Sequence, residues 1–274
     1  MSNQLIRSAQ TYPPFAELLP SEILQEGRYE VRFARTEDEL DQILRLRFEV
    51  FNLELGEGLE ESFETGRDRD EFDEVCHHLM VIERASGDVV GTYRMQTSAM
   101  AEERHGFYSA AEFDLTSLPE ALLTDAVEVG RACVALGHRN TQVLFLLWRG
   151  LALYMSSNQR RYLFGCCSLT SQDPAEGKAM MDHLENRHHI HGTLRVLPQP
   201  GYECYDSASW DSNPMNSGAP VGPVKIPKLF RTYLRHGAKV CGPPAIDRLF
   251  KTIDFLVIFD VTTLDERQFR TFFG

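Results

Sequence analysis

The sequence predicts an α/β fold with a central mixed β-sheet flanked by helices, on three observations. Strand and helix patterns alternate through the second half of the chain, at 126–135, 141–157 and 162–169. Hydrophobic residues make up 43% of the 274 residues and charged residues 25%, enough apolar material for one sizeable core. Pro, Gly, Ser and Asn gather in residues 198–227, which predicts an irregular insertion in the C-terminal half. The expected organisation is an N-terminal extension, 1–28, followed by a single domain, 29–274.

Each element has a local reason. In residues 29–35, Val31 and Phe33 alternate with charged neighbours, as in a half-buried strand. Thr36 and Glu39 form a capping-box pair that opens a helix through about Phe51, with Leu40, Ile43, Leu44, Phe48 and Phe51 as its apolar stripe. The acidic, glycine-bearing stretch 54–74 reads as loop or short turns. Residues 79–83 and 88–96 form a hairpin around Ser86-Gly87. A helix is expected over 173–187. The C-terminal order is helix 227–236, strand 238–241, helix 244–252 and strand 253–261.

Composition excludes several functions. The formal net charge of −12 argues against a nucleic-acid footprint. No run approaches the roughly 20 apolar residues that span a bilayer, and the polar residues 1–10 lack an export signal core. The six cysteines show no framework spacing, consistent with reduced thiols and a cytoplasmic location. His183, His188, His189 and His191 with Cys166 and Cys167 match no usual zinc spacing, so no metal is expected.

Four features could carry chemistry. Arg47 lies on the apolar face of its helix, where a guanidinium needs an anion or a cavity; a snorkelling arginine is the bland alternative. Asp68, Asp70 and Asp73 cluster, which suits a general base or an ammonium site, although an acidic run is also an ordinary solvated face. His78 follows and could orient a carboxylate. Glu128 and Arg131 sit inside an otherwise apolar strand and would face opposite ways on a regular strand. A bulge at Gly130 would bring them to one face. The turn holding Gly137, His138 and Arg139 leads into the helix 141–157, a weak phosphate-cradle signal.

In order, these pieces read Leu-Arg-Phe-Glu-Val-Phe, Asp-x-x-Asp, Gly-Thr-Tyr-Arg, Gly-Phe-Tyr-Ser and Glu-x-x-Arg. The set resembles the acyl-homoserine-lactone synthase branch of the GNAT superfamily. Within it, the pieces at Cys76–Leu79, Val90–Arg94, Glu128–Val134, Leu147–Gly150 and Ile226–Asp247 are similar to the ornithine N-acyltransferases of ornithine-lipid synthesis, also labelled hemolysin-like. The resemblance implies a GNAT-type sheet and an acyl donor, with or without a 3-hydroxyl, carried by an acyl carrier protein. The acceptor would be the α-amine of ornithine and the product lyso-ornithine lipid. The usual coenzyme A loop is missing after Gly137, which fits a donor that presents only a phosphopantetheine arm.

The resemblance implies that Glu128 and Arg131 sit on the central strand where the sheet splays, and on a direct aminolysis they are the expected catalytic residues, Glu128 as base or water-orienter. Arg131 and Arg47 would fix the acceptor carboxylate, and Asp70 and Asp73 would hold its cationic side chain. Phe51, Arg94 and Phe107 complete the substrate side, and Gly130 and Arg139 the phosphopantetheine side. No separate cofactor is implied. Arg139, Arg149, Arg160 and Arg161 are candidates for a basic patch that receives the acidic carrier. Peripheral contact with the inner membrane is a further expectation. The alternatives are another acceptor, such as glycine or S-adenosylmethionine for signal synthesis, and a non-catalytic module that binds an acyl carrier or a membrane.

Overall fold

A computed structural model describes residues 12–206 and 224–274. Two short strands, β1 (Leu24–Glu26) and β2 (Tyr29–Phe33), lead into helix α1 (Glu37–Phe48). Thr36 caps α1 by accepting from Glu39 N at 3.2 Å, while the Glu39 carboxylate reaches back to Arg35 N rather than to Thr36. The helix then widens into a π-helical segment, Glu49–Leu55, and stops at Gly56, where φ is 69°. One turn, α2 (Ser62–Thr65), precedes the hairpin of β3 (His77–Glu83) and β4 (Val89–Thr97). The short helices α3 (Ser98–Glu103) and α4 (Glu120–Thr124) lead to β5 (Ala126–Val134), α5 (Thr141–Ser157), β6 (Tyr162–Leu169) and α6 (Pro174–Asn186). After the segment 207–223, which lies outside the described residues, come α7 (Lys228–Arg235), β7 (Lys239–Val240), β8 (Ala245–Asp247), β9 (Thr252–Asp260) and α8 (Glu266–Phe273).

The strands form one sheet in the order β1-β2-β3-β4-β5-β6-β9-β7, with β8 also on β9. Pairing is antiparallel except between β5 and β6, so the sheet is mixed as expected. Alternation decides which face each side chain takes. Leu79 and Val81 join Tyr93, Met95, Val127 and the α5 residues Val143, Leu147 and Leu151 in the main core. Met80 and Ile82 point the other way and meet Ile43 of α1. By the same parity, Arg94 of β4 and Glu128 of β5 face the α1 side, which is why charged residues sit inside strands this apolar.

The sequence differs from the structure in three places. Residues 244–252 are not a helix: Asp247 Oδ1 accepts from Leu249 N and Phe250 N (2.8 and 2.9 Å), turning the chain so that β8 pairs with β9. Strand β1 and helix α8 add to the predicted elements. Finally, residues 12–28 pack on the domain they were expected to precede: Leu19 is buried in the main core and Pro14 O accepts from His77 Nε2 at 2.7 Å.

Candidate active site

The β5–β6 ladder covers only Ala126–Glu128 against Tyr162–Phe164. Beyond it the strands part, and Gly165 lies so close to Val129 that a Cβ there would stand 2.2 Å from Val129 O. Meanwhile β5 bulges against β4: between the pairs Thr92–Cys133 and Arg94–Gly130, the single residue Tyr93 of β4 faces two of β5, Arg131 and Ala132. The bulge expected at Gly130 falls just after it, at Arg131 and Ala132, with a positive φ (48°) at Arg131. That backbone conformation costs an ordinary residue about 1–3 kcal/mol and persists only where contacts over-determine it. It also flips the parity of β5, so Arg131 joins Glu128 on the α1 face. The parted strands leave a cavity of about 1110 Å³, lined on one side by residues 128–134 and on the other by residues 166–170.

Arg131 is held by Asp70 (2.9 Å) and Asp68 (3.5 Å), and its guanidinium lies 4.1 Å from the Phe250 ring centre. Arg47, 0% exposed, pairs with Asp68 (2.7 Å) and Asp73 (2.5 Å). Arg94 pairs with Asp70 (2.5 Å) and Asp73 (3.1 Å) beneath the Tyr108 ring. Three arginines and three aspartates thus form one buried, self-neutralising network. Burial alone would raise the Asp73 pKa, but the Arg47 and Arg94 guanidiniums hold it well below the usual range. His78 Nε2 lies 3.2 Å from Asp73 Oδ1, so this histidine does orient a carboxylate.

This geometry departs from the expected roles. Arg47 is enclosed by its two aspartates instead of reaching toward an acceptor carboxylate. Asp70 and Asp73, expected to hold a cationic side chain, are already neutralised by arginine. Glu128 and Arg131 share a face but not an ion pair. The Glu128 carboxylate accepts from Tyr108 N (2.7 Å), Ser109 N (2.8 Å) and Ser109 Oγ (2.6 Å). Burial nonetheless pushes its pKa up, the three hydrogen bonds opposing. Phe51 lines the cavity and packs on Phe250, whereas Phe107 packs on Phe164 in the small core behind it. Arg139 lines the mouth, bridged to Glu54 at 2.5 Å. Ser109 and Tyr108 were not singled out beforehand; their Gly-Phe-Tyr-Ser segment was the available signal.

The neighbouring His77 yields a separate expectation. Pro14 O can only accept, so His77 Nε2 carries the proton and Nδ1 accepts from Tyr154 OH (2.8 Å). Burial lowers its pKa to about 4, so the folded protein keeps the ring neutral. The unfolded chain takes up that proton below about 6.5, and stability is therefore lost as pH falls from about 6.5 to about 4. The depression corresponds to roughly 3 kcal/mol. In urea titrations, His77→Gln should flatten the stability–pH curve in that window; an unchanged slope counts against this assignment.

The acetyltransferase (GNAT) domain family matches residues 46–149, which span α1 to mid-α5. Full-length relatives decide the assignment. The L-ornithine N(alpha)-acyltransferase of Brucella abortus is 32% identical over 256 residues, covering 88% of this chain and 87% of that protein. The chain belongs to the L-ornithine N(alpha)-acyltransferase family. The family member of Rhodobacter capsulatus is likewise 32% identical, over 89% of this chain and 95% of its own. The AHL synthase LasI superposes with a TM-score of 0.48 at 12% identity, over 91% of this chain and 96% of that one. By its family and its domain match, the protein is an acyltransferase with a GNAT domain. Among the described residues of this L-ornithine N(alpha)-acyltransferase family member, no helix is long and apolar enough to cross a membrane.

Proposed function

We propose that the protein transfers a fatty acyl group from acyl carrier protein to the α-amine of ornithine, giving lyso-ornithine lipid. The observation that carries this reading is the opening of the sheet beside Glu128, where a thioester can lie along the bulged strand. The amine nitrogen attacks the thioester carbonyl, forming the C–N bond. Its proton passes to Glu128, directly or through water, and the C–S bond breaks to release the phosphopantetheine thiol. Amides around Arg131 and Ala132, freed from regular pairing by the bulge beside Gly130, would stabilise the oxyanion, an effect worth about 3–4 kcal/mol per donor elsewhere. Gly130 and Arg139 border the path of the pantetheine arm.

An acidic carrier needs a basic dock. Of the arginines proposed for it, Arg139 is committed to Glu54 and Arg161 to Asp260. Helix α7 is the better surface. Lys228, Arg231 and Arg235 lie exposed on one of its faces, with exposed Lys225 just before it. Lys225 and Lys228 also border the cavity. The double charge reversal Lys228→Glu/Arg231→Glu should raise KM for acyl carrier protein at least tenfold and leave KM for the same acyl group on coenzyme A within about twofold. Equal effects on both donors would remove the carrier from the proposal.

The deciding measurement is mass spectrometry of a reaction holding the protein, 3-hydroxypalmitoyl carrier protein and ornithine. An amide-linked acyl-ornithine supports the proposal. Product only with other amines would discard the acceptor, and no product with any amine would discard the reaction.

A further inference from the structure

The arginine–aspartate network has no charge to spare for a cationic substrate, yet a second acidic group stands on the opposite side of the cavity. Glu112, Asp247 and Asp254 bring their carboxylate oxygens within 4.8 Å of one another, and all three are buried. Asp254 is on β9, Asp247 at the end of β8, and Glu112 on the loop between α3 and α4. Asp247, Asp254 and the nearby buried Glu57 line the cavity. None of these carboxylates has a lysine or arginine within ion-pair distance among the described residues.

Two oxygens in the group lack an outside donor. Glu112 Oε2 and Asp254 Oδ1 are buried with no hydrogen-bond donor among the described residues other than a proton shared between the two carboxyl groups themselves, on side chains only 3% and 4% exposed. Unsatisfied buried carboxylate oxygens are costly, and a protein keeps them where a ligand completes them. Burial and the neighbouring Asp254 carboxylate also raise the pKa of Glu112 well above its usual range, as expected for a group that lacks its counter-charge.

We infer that Glu112, Asp247 and Asp254 form the subsite for the side-chain ammonium of a diamino-acid acceptor. The inference rests on the acyl-transfer reading above and names the residues that select the acceptor. An ammonium offers three donors to three converging carboxylates. Glu128, across the cavity, is left for the amine that reacts. An acceptor of the same skeleton without the terminal amine would leave buried charge unpaired, which is how a site rejects an analogue strongly.

The test compares ornithine with norvaline, which has the same carbon chain and no side-chain amine. In the wild-type protein ornithine should be acylated with the higher kcat/KM. Asp254→Asn should raise KM for ornithine at least tenfold and leave norvaline turnover equal or higher, collapsing the ratio. Glu112→Gln, nearly isosteric, should do the same and guards against a folding artefact in the first variant. Melting temperatures of both should equal or exceed the wild type, since an uncompensated buried carboxylate is removed. An unchanged ornithine-to-norvaline ratio in both variants overturns the subsite while leaving acyl transfer intact.

If the wild type acylates no amine, the parent reading fails, and calorimetric binding of ornithine against norvaline still decides the subsite. A preference lost in Asp254→Asn supports it, and no preference overturns it. Magnesium or calcium chloride alone is the third probe. A saturable rise in melting temperature that Asp254→Asn abolishes would assign the carboxylates to a metal ion and overturn the ammonium subsite.

Discussion

Glu128→Gln should lower kcat for ornithine acylation by about 10²–10⁴, the usual worth of a positioned general base, with ornithine binding within about twofold of wild type. The expectation follows from position and environment together. Glu128 lines the cavity where the ladder between β5 and β6 ends, and burial raises its pKa toward that of a useful base. Its sign is testable through pH. A base must be deprotonated, so wild-type kcat/KM should rise with pH through a group above the usual carboxylate range, and that limb should vanish in the variant. Ser109→Ala removes the 2.6 Å donor to Glu128 and should move the same limb to higher pH. Some loss of stability accompanies Glu128→Gln, about 1–3 kcal/mol, because an amide cannot accept all three donors. Near-full turnover in a folded Glu128→Gln protein would remove the base assignment.

The largest effect on stability is expected at Arg47. Arg47→Ala leaves the network one positive charge short, with Asp68 and Asp73, both 0% exposed, held only by Arg131 and by Arg94. Breaking a buried pair in this way costs about 3–5 kcal/mol, against a typical total of about 5–15 kcal/mol. Thermal unfolding should shift down by roughly 6–20 °C, or the variant should fail to accumulate. Arg47→Lys keeps the charge but not the fork that meets two carboxylates, and should fall between. The loss should reach Arg131 as well, because Asp68 is shared between the two arginines. A melting temperature within 2 °C of wild type for Arg47→Ala would contradict the view of the network as a closed unit.

Much of this site could be read from the sequence because it breaks local rules. Arg47 violates an apolar helix stripe, and Glu128 with Arg131 violates strand alternation; both conflicts resolve at the network and the bulge. Helix α5 and strand β6 match their expected bounds because their apolar runs are long and cleanly interrupted. Pairing within the network was not legible. Local spacing says that Asp68, Asp70 and Asp73 cluster, but only the crossing of β4, β5 and α1 says that arginines occupy them. Glu112, Asp247 and Asp254 carry no mutual pattern, since they meet through the pairing of β8 with β9 and the loop docked beside it. Residues 244–252 hold no helix because Asp247 caps a turn there instead. Helix α8 did carry a signal, the Asp265 and Gln268 capping box.

The short β5–β6 ladder also bears on mechanics. A sheet is stiff across its strands because hydrogen bonds tie each neighbour along its length. Among the described residues three residue pairs form the only ladder between β1–β5 and β6–β9, and the rest of the seam is held by side-chain packing and by loop contacts such as Gly58 N to Phe250 O (3.1 Å) and Thr170 to Glu57. The seam is therefore the compliant direction of the molecule. On the proposed reaction, acyl chains of different length would be admitted by elastic spreading of two leaves, with the arginine–aspartate frame on one leaf and Asp247 and Asp254 carried on the other.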